Sequence, residues 1–229
     1  MSDLSLEKSK VLQPGFMTKV YGWMSLALAI TAVTAALVAS SDFLLALIFS
    51  NKFTFYGILI AEVLLVLYIG RNLMNMASGT AAVFFLFYAF LNGITLSVIF
   101  LAYTSASVAS TFLVTGGTFG AMSLYGYFTN RDLSSWENLL LMGLLGLIIA
   151  SVVNIFFHNE LLYWVCSSAG VLLFVGLTAY DTQKIKAMGL MQEEGSENEK
   201  KTSLLAALSL YLDFINLFLY LLRLFGSRR

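Results

Sequence analysis

The sequence predicts an all-α integral membrane protein, a bundle of seven helices. Three observations carry that prediction. Of 229 residues, 59% are hydrophobic and only 11% are charged, with a mean hydropathy of +0.84. A globular surface needs nearer a quarter of its residues charged. The apolar residues also fall into stretches of about 20, the length that crosses a hydrocarbon core. The third observation is that a single proline and 17 glycines suit long helices packed closely through small residues.

Seven stretches qualify, in order Val20–Val38, Phe53–Leu73, Ala81–Tyr103, Ser107–Tyr127, Leu139–Phe157, Leu161–Tyr180 and Leu204–Leu224. Residues 1–19 read as a polar N-terminal tail with no apolar h-region, so the first stretch is expected to act as an uncleaved insertion signal. Residues 20–226 then form one transmembrane domain. Its one long connection, 181–203, is rich in Glu, Gln and Lys and reads as a flexible cytoplasmic loop. The final stretch carries Asp213, Asn216 and Arg223, which makes it the least lipid-like of the seven. It is therefore expected to be surrounded by the other six.

Orientation follows from the basic residues. A cytoplasmic N-terminus collects Lys8, Lys10, Lys19, Arg71, Arg131, Lys184, Lys186, Lys200 and Lys201 on one side and leaves only Lys52 in the opposite loops. Arg223, Arg228 and Arg229 disagree, because seven crossings place them outside. Gly116-x-x-x-Gly120 in the fourth stretch is a small-residue packing signal. The lone Cys166 excludes an intrachain disulfide and reads as a buried small hydrophobe. His158 falls in a short connection beside Glu160, where an exposed loop residue without a role is expected.

Two carboxylates stand out. Asp213 lies near the middle of its stretch, with Ser209 four residues before and Asn216 three after, all on one helical face. Asp181 closes the sixth stretch, where it is either interfacial or turned inward. A charge at membrane depth costs at least about 2.5 kcal/mol, so such groups face each other or a wet cavity. Two carboxylates in contact cannot both ionise easily and titrate as a unit. Oxygen-only ligands fit Ca²⁺ better than Zn²⁺ or Cu²⁺. Glu62 is a third acidic candidate, either protonated and hydrogen-bonded or part of an ion path with Ser209 and Asn216. Arg71 is either a positive-inside anchor or a cation that competes with metal for an aspartate. No Walker loop, dinucleotide fingerprint, HExxH or triad spacing occurs, and the balanced charge gives no argument for nucleic acid. Intramembrane aspartyl proteases also pair two aspartates; Tyr180-Asp181 fits their first motif, but Asp213 follows Tyr-Leu rather than Gly-x-Gly. The chain is expected not to be an enzyme.

The block from Gly176 through Tyr180-Asp181-Thr182-Gln183-Lys184 to Ile185, followed by Ala207 through Tyr211-Leu212-Asp213-Phe214-Ile215-Asn216 to Gly226, resembles the transmembrane Bax inhibitor motif family. Phe16 to Met24 and Thr118 to Asp132 extend the resemblance over most of the chain, and the short tails look like the bacterial branch. The resemblance implies a seven-helix fold with its last helix enclosed, in the bacterial inner membrane. It also implies a pH-sensitive passive Ca²⁺ leak whose proton and Ca²⁺ sensor is the pair Asp181 and Asp213, with Arg71 as latch. Ca²⁺ and H⁺ are then the species handled, the lipid bilayer is the surrounding partner, and no resident cofactor is needed. Eukaryotic relatives are associated with suppressing cell death and some bacterial ones with modulating a membrane protease; no residue here carries either role over. The alternatives are a proton-coupled transporter using Glu62, and a non-catalytic adaptor for another membrane protein.

Overall fold

A computed structural model describes residues 14–228. The expected tail residues 1–13, with Lys8 and Lys10, and Arg229 lie outside the described residues. Among the described residues there are eight α-helices: α1 Pro14–Ala39, α2 Asp42–Phe49, α3 Lys52–Asn72, α4 Ser78–Ala102, α5 Ser105–Phe128, α6 Glu137–Phe157, α7 Glu160–Gly189 and α8 Glu197–Phe225. Single 3-10 turns at Leu73–Asn75 and Ser134–Trp136 lead out of α3 and into α6.

The seven expected stretches each lie on a helix, but the count differs. α2 falls inside the expected first connection; at eight residues it is about 12 Å long, too short to cross. Six helices are long and apolar enough for a span, and α5 is not among them. Its Ser, Thr and Gly residues dilute a helix of adequate length. α8 has the largest buried share of the six, 67% of its apolar window against 39% or less elsewhere. The large apolar side chains left exposed, such as Leu139, Ile149, Leu161 and Leu172, belong against lipid.

The expected loop 181–203 is mostly helix. α7 continues to Gly189 and α8 already starts at Glu197, so only 190–196 connects them. Polar residues end an apolar stretch without ending a helix, provided their side chains find partners. Ser196 caps α8, its Oγ accepting from Glu199 N at 3.0 Å. The Glu199 carboxylate in turn accepts from Gly195 N at 2.7 Å and from Lys19 Nζ at 2.7 Å. Gly195 takes φ +76, the left-handed conformation glycine adopts without a Cβ clash. The N-terminal tail is likewise shorter than the expected 1–19, because Pro14–Lys19 already form the first turns of α1.

Close contacts divide the chain into two compact units where one bundle was expected. The first holds the chain up to Tyr103 with Met188–Tyr211; the second holds Thr104–Ala187 with Leu212–Arg228. In the first, a Cβ on Gly93 of α4 would stand 2.7 Å from Thr31 O of α1, so the two helices approach backbone to backbone there. Thr31 Oγ1 reaches Ala89 O at 2.9 Å and the Tyr211 hydroxyl at 2.8 Å. Tyr211, fully buried, also takes the edges of Phe85 and Tyr88. Lys19→Met is expected to destabilise the chain by about 1–3 kcal/mol, because the fully buried Glu199 loses its cation. A lowered thermal unfolding midpoint in detergent checks this, and an unchanged one removes the ion pair from the account.

Candidate functional site

The second unit contains the aspartate pair. Asp181 is not at a helix end, as the hydropathy pattern suggests, but eight residues short of one, on the continuous part of α7. The residues after it explain why α7 persists. Gln183 Oε1 accepts from Leu133 N at 2.8 Å, and its Nε2 donates to Arg131 O at 2.8 Å. Lys184 meets Glu137 at 3.2 Å, and Lys186 donates to Tyr127 O at 2.7 Å. Gln183, Lys184 and Lys186 are therefore tied to the connection between α5 and α6 and to the helix ends beside it. In that connection Ser134 donates from its backbone to Asp132, holding the exposed Asp132 carboxyl below the usual carboxylate range.

A close backbone contact sets the depth. A Cβ on Gly126 of α5 would lie 2.2 Å from Ala179 O of α7. Gly116 and Gly120, the expected packing pair, have nothing within 4 Å. The contact is at Gly126 because its face also carries Ser123 and Phe119, at helical spacing. Phe119 packs edge-on against Phe214 of α8 at 5.4 Å, and Phe112 against the same ring at 5.3 Å. Leu133, Leu140, Ala179 and Tyr180 form the apolar cluster beneath.

α7 and α8 thus bring the carboxyl groups of Asp181 and Asp213 close enough to interact. Two carboxyl groups so placed cannot both ionise easily. Asp213 is 6% exposed, and Asp181 is half-buried. Asp213 Oδ2 has no hydrogen-bond partner, and neither do the buried hydroxyls of Ser123 and Thr182. Ser123 lies between the residues of α5 that touch α8 and α7, and Thr182 follows Ala179 by three positions on the same face of α7. The second unit thus holds three buried, under-satisfied oxygens on three helices, on Ser123, Thr182 and Asp213.

The other expected site residues fall differently. Asn216 is half-buried in the second unit and donates to Leu212 O of its own helix at 2.8 Å. Glu62, Arg71 and Ser209 belong to the first unit. Glu62 is buried and accepts from Thr95 Oγ1 at 3.0 Å. Arg71 is exposed in the last turn of α3 and makes no ion pair among the described residues. Among the described residues, no three His, Cys, Asp or Glu side chains gather as a metal cluster, so the pair supplies two carboxyl groups and no more. Ser123, Thr182, Gln183 and Gly126 were not singled out by sequence. Only Thr182 and Gln183 had a signal, their place beside Asp181 in the motif.

The chain matches the family described as inhibitor of apoptosis-promoting Bax1 over residues 13–229. It is 49% identical to inner membrane protein YbhL of Escherichia coli K12, over 93% of this chain and 92% of that one. A Borreliella burgdorferi protein is 46% identical over 100% of this chain and 99% of its own length. A Rickettsia prowazekii protein is 44% identical, over 97% and 94%. These matches span both aspartates and every helix that carries them, and the chain belongs to the Bax inhibitor family of multi-pass membrane proteins.

Proposed function

We propose that this protein is a proton-regulated passive path for Ca²⁺ through the bacterial inner membrane, with Asp181 and Asp213 as its coupled sensor. The observation that carries the reading is the approach of the two carboxyl groups on α7 and α8, with the buried Asp213 Oδ2 left unpartnered. A protonated pair is clasped and holds at most one negative charge. Losing the shared proton leaves two like charges in contact, which part unless a cation enters. Hard oxygen ligands suit Ca²⁺. Two carboxyl groups with Ser123 and Thr182 hydroxyls give fewer than its usual 6–8 oxygens, so the ion keeps water and passes rather than resides. Protons and Ca²⁺ therefore compete, and apparent Ca²⁺ affinity rises with pH.

The printed name of the YbhL relative supports the inner membrane, and the lysine and arginine bias supports a cytoplasmic N-terminus. Arg71 keeps in this reading the latch role that the family resemblance implies. A second reading, a proton-coupled transporter, draws on Glu62, a buried carboxyl group bonded to Thr95. Liposomes holding a Ca²⁺ dye distinguish them. The leak runs down either gradient, faster at mildly alkaline than at acidic pH, with no fixed proton stoichiometry. Saturable flux with stoichiometric reverse proton movement selects the transporter, and flux that ignores both pH and Asp181→Asn removes the sensor.

A further inference from the structure

A cavity of about 830 Å³ opens in the second unit where α6 gives way to α7, beside the last turn of α8. Arg223 and Arg228 line it, opposed by the single carboxylate of Glu160. These arginines are the ones that break the charge bias of the sequence. In a chain with 13 Lys and Arg among 229 residues, two in one cavity call for a reason.

The cavity wall is built. Ser227 accepts from Thr104 N at 3.1 Å and its own N–H donates to Ser107 Oγ at 2.9 Å, which turns the segment after α8 back onto α5. Arg228 then lies over the Tyr163 ring, its Nη2 donating to the phenol oxygen at 3.2 Å. Arg223 is held over Tyr220 with its carbon 5.2 Å from the ring centre. At the opposite wall His158 takes φ 48, a left-handed corner that histidine enters more readily than most residues. Asn159 N donates to Asn154 Oδ1 at 2.9 Å, and Leu162 N to Asn159 Oδ1 at 3.0 Å. Both amide oxygens are committed to backbone, which leaves the amide nitrogens of these two cavity-lining residues as the groups able to donate. Two guanidinium forks and two amide donors are the chemistry that receives phosphate oxygens.

The rim adds an apolar flank. Ile155 and Trp164 line the cavity, and Phe157 and Leu161 beside them are more than two-thirds exposed. They lie at the ends of membrane-length helices, where tryptophan marks the headgroup level. A free phosphate has no use for that flank; an acyl chain does. We propose that this cavity binds the phosphodiester headgroup of an anionic phospholipid, with Arg223 and Arg228 on the phosphate and the acyl chains along Trp164 and α6.

The full-length chain in phosphatidylcholine nanodiscs, with Trp23 and Trp136 replaced by Phe, reports on Trp164 alone. Brominated phosphatidylglycerol is expected to quench Trp164 at a mole fraction lower than brominated phosphatidylcholine by on the order of tenfold. R228Q should reduce that preference and R223Q/R228Q erase it, both side chains being exposed and glutamine keeping a side chain of similar length over the tyrosine rings. Equal quenching by the two lipids, or an unchanged preference in the double variant, overturns the proposal. So does loss of the preference on adding millimolar inorganic phosphate at constant ionic strength, which would assign the site to a soluble anion.

Discussion

Asp213→Asn is expected to hold Ca²⁺ flux at mildly alkaline pH down at its acidic level, a fall of about tenfold or more, equivalent to about 1.4 kcal/mol. The asparagine amide donates to Asp181 at every pH, so the clasp that a shared proton makes becomes permanent. The site also loses one of the two charges that attract the cation. Flux measured against pH should therefore become flat and low, with the protein still folded, because the substitution preserves shape and the hydrogen bond. Asp213→Ala removes the donor as well and frees Asp181; flux should again lose its pH dependence, but from an unclasped site. If Asp213→Asn keeps the wild-type slope, the pair is a packing clasp and the sensor lies elsewhere.

Gly126→Ala is expected to cost about 3 kcal/mol or more, as overpacking between rigid elements does. A methyl group 2.2 Å from Ala179 O meets backbone, which has no rotamer to give. α5 and α7 must separate, and Ser123 and Thr182 separate with them. The control is Gly116→Ala on the same helix, where nothing lies within 4 Å and helix propensity alone should stabilise by about 0.5–1 kcal/mol. Thermal unfolding in detergent should move the two variants in opposite directions. Equal midpoints would mean that α5 and α7 do not meet at Gly126.

The contrast between those glycines also shows what the sequence could reveal. Hydropathy located each long helix, because lipid demands apolar side chains over a fixed length. It failed where side-chain partners replace lipid. The run after Tyr180 turns polar, yet Gln183 bonds to the connection between α5 and α6, Lys184 and Lys186 bond to the helix ends beside it, and the helix continues. The same misreading placed Asp181 at a helix end and made its meeting with Asp213 hard to foresee. Glu199 is another case, charged and fully buried, legible only once Lys19 is seen 180 positions away. The Gly116-x-x-x-Gly120 spacing pointed at a real type of contact on the wrong face, since spacing fixes which residues share a face but not which face meets a neighbour. Asp213 was readable because a carboxyl group amid Leu, Phe and Ile has few explanations.

The Gln183 side chain answers one donor and one acceptor of the neighbouring backbone, as an adjacent strand would. It lies two residues beyond Asp181 on the same rigid helix. If the proposed sensor works by a rotation of α7 that parts the two carboxyl groups, the same rotation would draw this amide away from Arg131 and Leu133. Protonation of a pair sealed among helices would then be written onto a polar corner of the chain, as a turn that is tied or untied.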